Sequence, residues 1–185
     1  IPGDTLAPGN NVTTQVKFNS TGLLDGLYES FIFVSNNTTM NPQVAVPIAM
    51  NVTGFPQIQL SIDELDFGEL IVGEDDTLSF AITNIGTDSL IIDSMYFSVI
   101  NDYSIITPFT LPIEIAPLQS STYEVMFLPT VDGLILDSIY ILSNASNTDT
   151  SIVTLSGNGL TPADIELSTY SWSGSLASGE FLRSQ

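Results

Sequence analysis

Apolar and polar residues alternate along several short segments of the chain. In residues 77–83 the apolar Leu78, Phe80 and Ile82 alternate with small or polar side chains, and residues 122–128 show the same period of two. Alternation over this length is typical of a half-buried β-strand. Clusters of Asn, Gly, Asp and Ser separate such segments, as expected for turns. No segment shows a convincing helical pattern, so the sequence predicts an all-β fold.

The chain also repeats itself at a nearly constant spacing. Residues 26–30 correspond to residues 133–137, and residues 58–61 correspond to residues 165–168, both at an offset of 107. A constant offset near both ends indicates one module of about 107 residues that is present out of phase. A module of this size with about seven short strands fits an immunoglobulin-like sandwich.

The offset predicts tandem immunoglobulin-like β-sandwiches, with one complete module flanked by two partial ones. The predicted parts are the C-terminal half of a module (1–54), a complete module (55–160) and the opening strands of a further module (161–185). The first part is expected to contain closing strands at residues 13–19, 26–35 and 44–52. The connections between the parts are short and contain proline, which predicts semi-rigid coupling.

Several motifs of the complete module resemble a known family. They are Leu65-Asp66-Phe67-Gly68, Val72-Gly73-Glu74, Ile82-Thr83-Asn84-Ile85-Gly86, Ile115-Ala116-Pro117 and Leu155-Ser156-Gly157-Asn158-Gly159. Together they are similar to the choice-of-anchor D type domain, a bacterial relative of the abnormal-spindle/major-sperm-protein/Hydin immunoglobulin-like group. The resemblance implies a secreted repeat that serves as a stalk or spacer and carries no shared catalytic residues.

Composition excludes several classes of function. The chain has 21 acidic residues, two basic residues (Lys17 and Arg183), a formal net charge of −19, and neither cysteine nor histidine. Two cations cannot form a groove for nucleic acid, and the net charge repels phosphate. Without thiol or imidazole, the usual nucleophiles, general bases and Cys/His zinc sites are missing. We therefore expect no enzyme activity and no cofactor.

The chain contains no membrane-targeting pattern. No apolar run approaches the roughly 20 residues that span a bilayer, so no membrane insertion is expected. Ile1-Pro2-Gly3 does not open a signal peptide, which fits an excerpt or a processed product. The resemblance nevertheless places the protein outside the cell or on its surface.

One acidic run is a candidate calcium site. Glu74, Asp75 and Asp76 follow one another in a predicted turn, and carboxylate oxygens are ligands that calcium prefers. The spacing matches no EF-hand loop, so solvated loop charge is the simpler interpretation. No metal site is assigned beyond this weak candidate.

Two aromatic residues allow a second interpretation of the function. Tyr170 and Trp172 alternate with small polar residues and, if exposed, would stack on sugar rings. In the repeat they fall near Leu65 and Phe67, which look like core positions. Exposure of the pair would favour the alternative function, a glycan-binding or calcium-dependent adhesion module.

Short motifs suggest a covalent glycan. Asp-Ser/Thr-apolar occurs five times, more often than composition explains, and resembles an O-glycosylation signal of certain gliding Gram-negative bacteria; turn formation is the alternative explanation. The candidate O-linked sites are Thr5, Thr77, Ser89, Ser94 and Ser138. The Asn-X-Ser/Thr sequons, only modestly in excess, give candidate N-linked sites at Asn11, Asn19, Asn36, Asn37, Asn51 and Asn144.

The strand at residues 26–35 has apolar residues on both faces. Tyr28, Ile32 and Val34 lie on one face, and Phe31 and Phe33 lie on the other. Either a loop of the same module covers one face, or a neighbouring module or chain does. The sequence thus predicts a structural surface protein, a filament or stalk in which strands of one module or subunit complete another. Its partners are other copies of itself or flanking modules.

Overall fold

The structure, a computed structural model, describes residues 5–99 and 102–163. Within these ranges the chain forms strands and turns and no helix. The strands are β1 (Gly26–Ser35), β2 (Gln43–Val52), β3 (Ile58–Leu60), β4 (Glu64–Ile71), β5 (Asp76–Asn84), β6 (Leu90–Phe97), β7 (Tyr103–Ile105), β8 (Ile113–Ile115), β9 (Ser120–Phe127), β10 (Gly133–Ser143) and β11 (Thr150–Leu160). No helix in this part of the chain is long and apolar enough to cross a membrane.

Strands β3 to β11 form two sheets, which we call the sandwich. One sheet has five strands in the order β4-β11-β10-β6-β8, and the other has four in the order β3-β5-β9-β7. All pairings are antiparallel except that of β4 with β11, which is parallel. The alternating segments of the sequence form β5 and β9, which pair with each other over all of β9 and all but the last residue of β5. The prediction of an all-β immunoglobulin-like fold is confirmed.

The two sheets enclose an apolar core because successive side chains of a strand point to opposite faces. The inward side chains of β10 and β11, Ile139, Ile141, Val153 and Leu155, are fully buried or nearly so. Aromatic rings fill the space between the sheets. Phe127, for example, stacks on Tyr103 with ring centroids 4.7 Å apart. Leu65 and Phe67 of β4 are buried, as their repeat positions predict.

Tyr103 places a phenol group inside this core. Its hydroxyl donates a hydrogen bond of 2.9 Å to the carbonyl of Ile135. Burial raises the pKa of Tyr103 above its ordinary value, and the carboxylates of Asp137, Asp102 and Asp66 raise it further. The tyrosine therefore stays protonated and acts as a structural donor.

Asn84, at the end of β5, is a fully buried polar residue whose side chain is completely hydrogen bonded. Its Oδ1 accepts from the amides of Gln57 (3.3 Å) and Gly86 (2.9 Å). Its Nδ2 donates to the carbonyls of Asp88 (2.7 Å) and Ile115 (2.9 Å). One side chain thus ties the linker before β3, the turn between β5 and β6, and the end of β8.

Strands β1 and β2 form a separate two-stranded sheet, which we call the hairpin. The predicted strand at residues 13–19 is wrong, because the structure assigns these residues to no strand. A strand requires a hydrogen-bonded neighbour. The corresponding strand of the sandwich, β9, lies between β5 and β7. The described residues before the hairpin provide no counterpart of either.

Candidate functional site: the β1–β2 hairpin and its junction with the sandwich

The hairpin repeats the centre of the sandwich residue for residue. Gly26 lies opposite Val52 in the hairpin, and Gly133 lies opposite Gly159 in the β10–β11 pair. Every position of the first pairing therefore becomes the second when 107 is added to its number. This shared register, together with the sequence repeat, indicates that the hairpin is the β10–β11 unit of another sandwich.

The two units differ greatly in burial. Ile141 and Val153 are fully buried in the sandwich, whereas the corresponding Val34 and Val46 of the hairpin are 50% and 43% exposed. Removing a side chain of this kind from water stabilises a protein by about 1.5–3 kcal/mol. The face of the hairpin that corresponds to a core face therefore lacks its cover.

The opposite face of the hairpin is also apolar. Phe31 and Phe33 are 57% and 61% exposed, and their ring centroids lie 6.2 Å apart. In the sandwich the corresponding positions are Ser138 and Tyr140, which are half-buried on the outer face. The described residues place no loop of the same module over either face, so the interpretation of local cover is not supported.

Both outer edges of the hairpin are unpaired within the described residues. In the sandwich, β11 is paired along its outer edge by β4 in parallel, and β10 by β6 in antiparallel orientation. No described strand takes these places beside β2 and β1. Long apolar strands with free edges are sites where another strand adds.

The hairpin is attached to the sandwich by a small set of hydrogen bonds, which we call the junction. The carboxylate of Asp25 accepts from the amide of Gly54 at 3.0 Å, and the amide of Asp25 donates to the carbonyl of Thr87 at 3.0 Å. The amide of Thr87 in turn donates to the carbonyl of Phe55 at 2.9 Å. The turn between β5 and β6 thereby contacts the base of the hairpin.

A family model places the sandwich among known proteins. The model for the HYDIN/CFA65/VesB-like, Ig-like domain matches residues 56–158, more than half of the chain. The chain belongs to this family. The match spans most of the sandwich and leaves out the hairpin, so the family assignment rests on strands β3 to β11 alone. No curated protein sequence matches the chain significantly.

Solved structures similar to this HYDIN/CFA65/VesB-like chain share little sequence with it. A Porphyromonas gingivalis W83 protein of unknown function is 18% identical, with a TM-score of 0.49 over 74% of this chain and 67% of that one. The ASH/PapD-like domain 7 of human CEP192 is 12% identical, with a TM-score of 0.46 over 59% and 89%. The Vibrio cholerae VesB protease is 15% identical, with a TM-score of 0.45 over 55% and 32%.

The acidic candidates for calcium lie on the surface of this family member. Glu74, Asp75 and Asp76 are exposed, and Asp76 uses Oδ1 to accept from the amide of Thr77 at 2.8 Å. In the described part of the chain no three acidic side chains are arranged to hold a metal ion. Tyr170 and Trp172, the residues of the alternative glycan-binding function, lie outside the described residues.

The candidate O-linked sites differ in exposure and in hydrogen bonding. Thr5 and Thr77 are exposed, whereas Ser94 and Ser138 are half-buried in strands of the five-stranded sheet. Ser89 is half-buried and donates to Glu114 at 2.8 Å. In three of the four motifs whose aspartate lies in the described residues, that aspartate accepts a hydrogen bond from the amide of the next residue. Glycosylation at these positions stays a prediction.

The candidate N-linked sites Asn11, Asn19, Asn36, Asn37, Asn51 and Asn144 are all exposed. Two of them use the Nδ2 atom that a glycan would modify. Asn36 donates to the carbonyl of Asn41 at 2.9 Å, and Asn144 donates to the carbonyl of Ser89 at 3.3 Å. A sugar at either residue would replace one hydrogen of a nitrogen that already donates a hydrogen bond.

Sequence reasoning missed the residues that build the junction. Asn84 belongs to one of the family motifs, but nothing in the sequence indicates that its side chain is buried and fully hydrogen bonded. Asp25 was not singled out. The repeat itself contains the signal that identifies it, because Asp132 stands 107 residues later and accepts from the amide of Thr161 at 3.0 Å.

Proposed function

We propose that this chain is a structural repeat of an extracellular bacterial surface protein, a stalk or filament of tandem immunoglobulin-like modules. In this proposal the hairpin is the centre of a second sandwich, which strands from a neighbouring module or subunit complete. The observation that carries it is the shared register of β1–β2 and β10–β11 combined with their contrasting burial. The proposed role is mechanical, and it gives no residue a catalytic step.

The sandwich supplies a template for the added strands. A strand beside β2 would run parallel to it, as β4 runs beside β11, and a strand beside β1 would run antiparallel, as β6 runs beside β10. These strands would pair the free edges of the hairpin, and the opposite sheet of the completed sandwich would cover Val34 and Val46. Strand addition of this kind draws its affinity from main-chain hydrogen bonds and its specificity from alternate side chains.

The extracellular location rests on two features. The sequence resembles modules of secreted bacterial proteins, and Asp-Ser/Thr-apolar motifs recur along it. A net charge of −19 keeps such material soluble when modules are crowded together. Covalent glycan on exposed strand ends would add protection against proteolysis.

The test supplies the strands that the repeat predicts. The full chain is compared with the same chain preceded by a copy of residues 55–107, which the offset of 107 places before Ile1. In the lengthened chain we expect amides on the outer edges of β1 and β2 to exchange at least about a hundredfold more slowly, as paired core strands do. The control is the same extension with Leu65→Asp in the copied β4.

A substitution pair checks the core side of the proposal. Val34→Ala should change the free energy of unfolding by less than about 0.5 kcal/mol in the original chain. In the lengthened chain the same substitution should cost about 1–3 kcal/mol, because Val34 is then buried. Unchanged amide exchange and a neutral Val34→Ala in both chains would contradict the proposal. Concentration-dependent protection in the original chain would identify a second subunit as the source of the strands.

A further inference from the structure

The junction brings together two surfaces that both belong to ordered elements. On one side, Asp25 directly precedes the hairpin, and Gly54 follows it after one residue. On the other side, the turn of residues 86–88 is held by Asn84, whose side chain bonds both the Gly86 amide and the Asp88 carbonyl. Four hydrogen bonds cross between them or close the contact, including one from the Phe55 amide to the Thr87 hydroxyl at 3.2 Å. Because both surfaces are fixed, their contact sets one orientation.

Gly54 is the residue that allows this close approach. A Cβ atom at position 54 would lie 2.7 Å from the carbonyl oxygen of Thr87 and 2.9 Å from the Cβ atoms of Asp25 and Asp88. The nearest of these atoms is backbone and cannot rotate away. Any side chain at position 54 therefore forces the turn of residues 86–88 away from the hairpin.

At the end of the sandwich opposite the junction, Asp132 and Thr161 repeat the contact between Asp25 and Gly54. Asp132 corresponds to Asp25, and Thr161 corresponds to Gly54 at the offset of 107. The carboxylate of Asp132 accepts from the amide of Thr161 at 3.0 Å, as Asp25 accepts from Gly54. Within the described residues the amide of Asp132 donates no hydrogen bond, whereas that of Asp25 donates to Thr87.

The two ends differ at the position of closest approach. Thr161 has a side chain where Gly54 has none, and its hydroxyl lies 3.3 Å from the carboxylate of Asp132. A turn placed against Thr161 as the 86–88 turn is placed against Gly54 would overlap the threonine Cβ.

We infer that Asp25 and Gly54 form a docking site that locks the 86–88 turn of the following module, and that Thr161 prevents the same lock at the far end of the sandwich. Successive junctions of this protein then differ in stiffness. The inference rests on the proposed function, because it requires that a module follow β11. It goes beyond that function in naming the residues that set the orientation between modules.

The first test uses single substitutions in the chain of 185 residues. Gly54→Thr should accelerate hydrogen exchange of the Asp25 and Thr87 amides at least about fivefold, the protection that one hydrogen bond of this kind provides. Asp25→Ala should have the same effect. The amide of Val125, deep in the sandwich, should be unaffected. Asp75→Ala, which makes the same charge change in the exposed turn at the opposite end of the sandwich, is the control. Unchanged exchange of the two junction amides in Gly54→Thr would overturn the inference.

The second test adds a complete module directly after Thr161. Residues 55–161, one full repeat, are duplicated in place within the full chain, and residual dipolar couplings measure whether the two sandwiches share one alignment. We expect separate alignments with Thr161 and one shared alignment with Thr161→Gly, in which the Asp132 amide also becomes protected at least about fivefold. A shared alignment with Thr161, or separate alignments with Thr161→Gly, would refute the inference. Neither test depends on whether strands complete the hairpin, so failure here is distinguishable from failure of the proposed function.

Discussion

The four hydrogen bonds of Asn84 give a large and calculable effect on stability. Asn84→Ala removes all four and leaves the Gly86 amide and the Ile115 carbonyl without a partner in a buried environment. The Gln57 amide and the Asp88 carbonyl are only partly buried, so water replaces the lost bonds there. With about 1–3 kcal/mol for each of the two stranded buried groups, we expect a loss of about 2–6 kcal/mol. That is a large fraction of a typical domain stability.

Equilibrium urea unfolding, followed by near-ultraviolet circular dichroism of the buried tyrosines, measures this loss. The matched control is Asn158→Ala, since Asn158 lies on β11 and its side chain makes no hydrogen bond among the described residues. The control should change the free energy of unfolding by less than about 0.5 kcal/mol. If Asn84→Ala cost less than about 1 kcal/mol, or no more than the control, the assignment of Asn84 as an organising residue would be refuted.

Three further predictions concern pH, metal and glycan. The pKa of Tyr103 is higher in the folded protein than in the unfolded chain, so the contribution of Tyr103 to stability is present below the unfolded value of about 10 and is lost as pH rises further. Above pH 10 the urea midpoint should therefore fall less steeply for Tyr103→Phe than for the unsubstituted protein. Thermal melts with and without EDTA should superimpose, and a large drop on calcium removal would instead make Glu74, Asp75 and Asp76 ligands. Intact-mass analysis of native material should exceed the sequence mass by at least one O-linked sugar, and a mass equal to the bare sequence would exclude the O-linked sites.

The sequence predicted the fold where local pattern and tertiary pairing agree. The alternation at residues 77–83 and 122–128 became β5 and β9 because each of these strands has a pairing neighbour and one face in the core. The same kind of pattern at residues 13–19 did not produce a strand. Alternation describes what a strand would bury, but only a neighbouring strand satisfies its backbone groups.

The candidate site was accessible to sequence reasoning only in part. The repeat offset predicted which two strands form the hairpin, and their shared register with β10–β11 follows from the same spacing. The junction did not follow, because Asp25 and Gly54 gain their meaning from Thr87, which is distant along the chain. A glycine after a strand is ordinary in a sequence, and only its contact with Thr87 shows why position 54 has no room for a side chain.

The packing of Gly157 against Phe127 has a consequence for how a chain whose repeats share one strand register avoids folding incorrectly. The hairpin has the same register as β10–β11, so it is a ready competitor for their place during folding, a known hazard of repeat proteins. In that exchange Met50 would take the position of Gly157. A Cβ at Gly157 already overlaps the ring of Phe127, so methionine fits there only if this buried ring moves. Gly157 thus disfavours replacement of the β10–β11 pair by the hairpin.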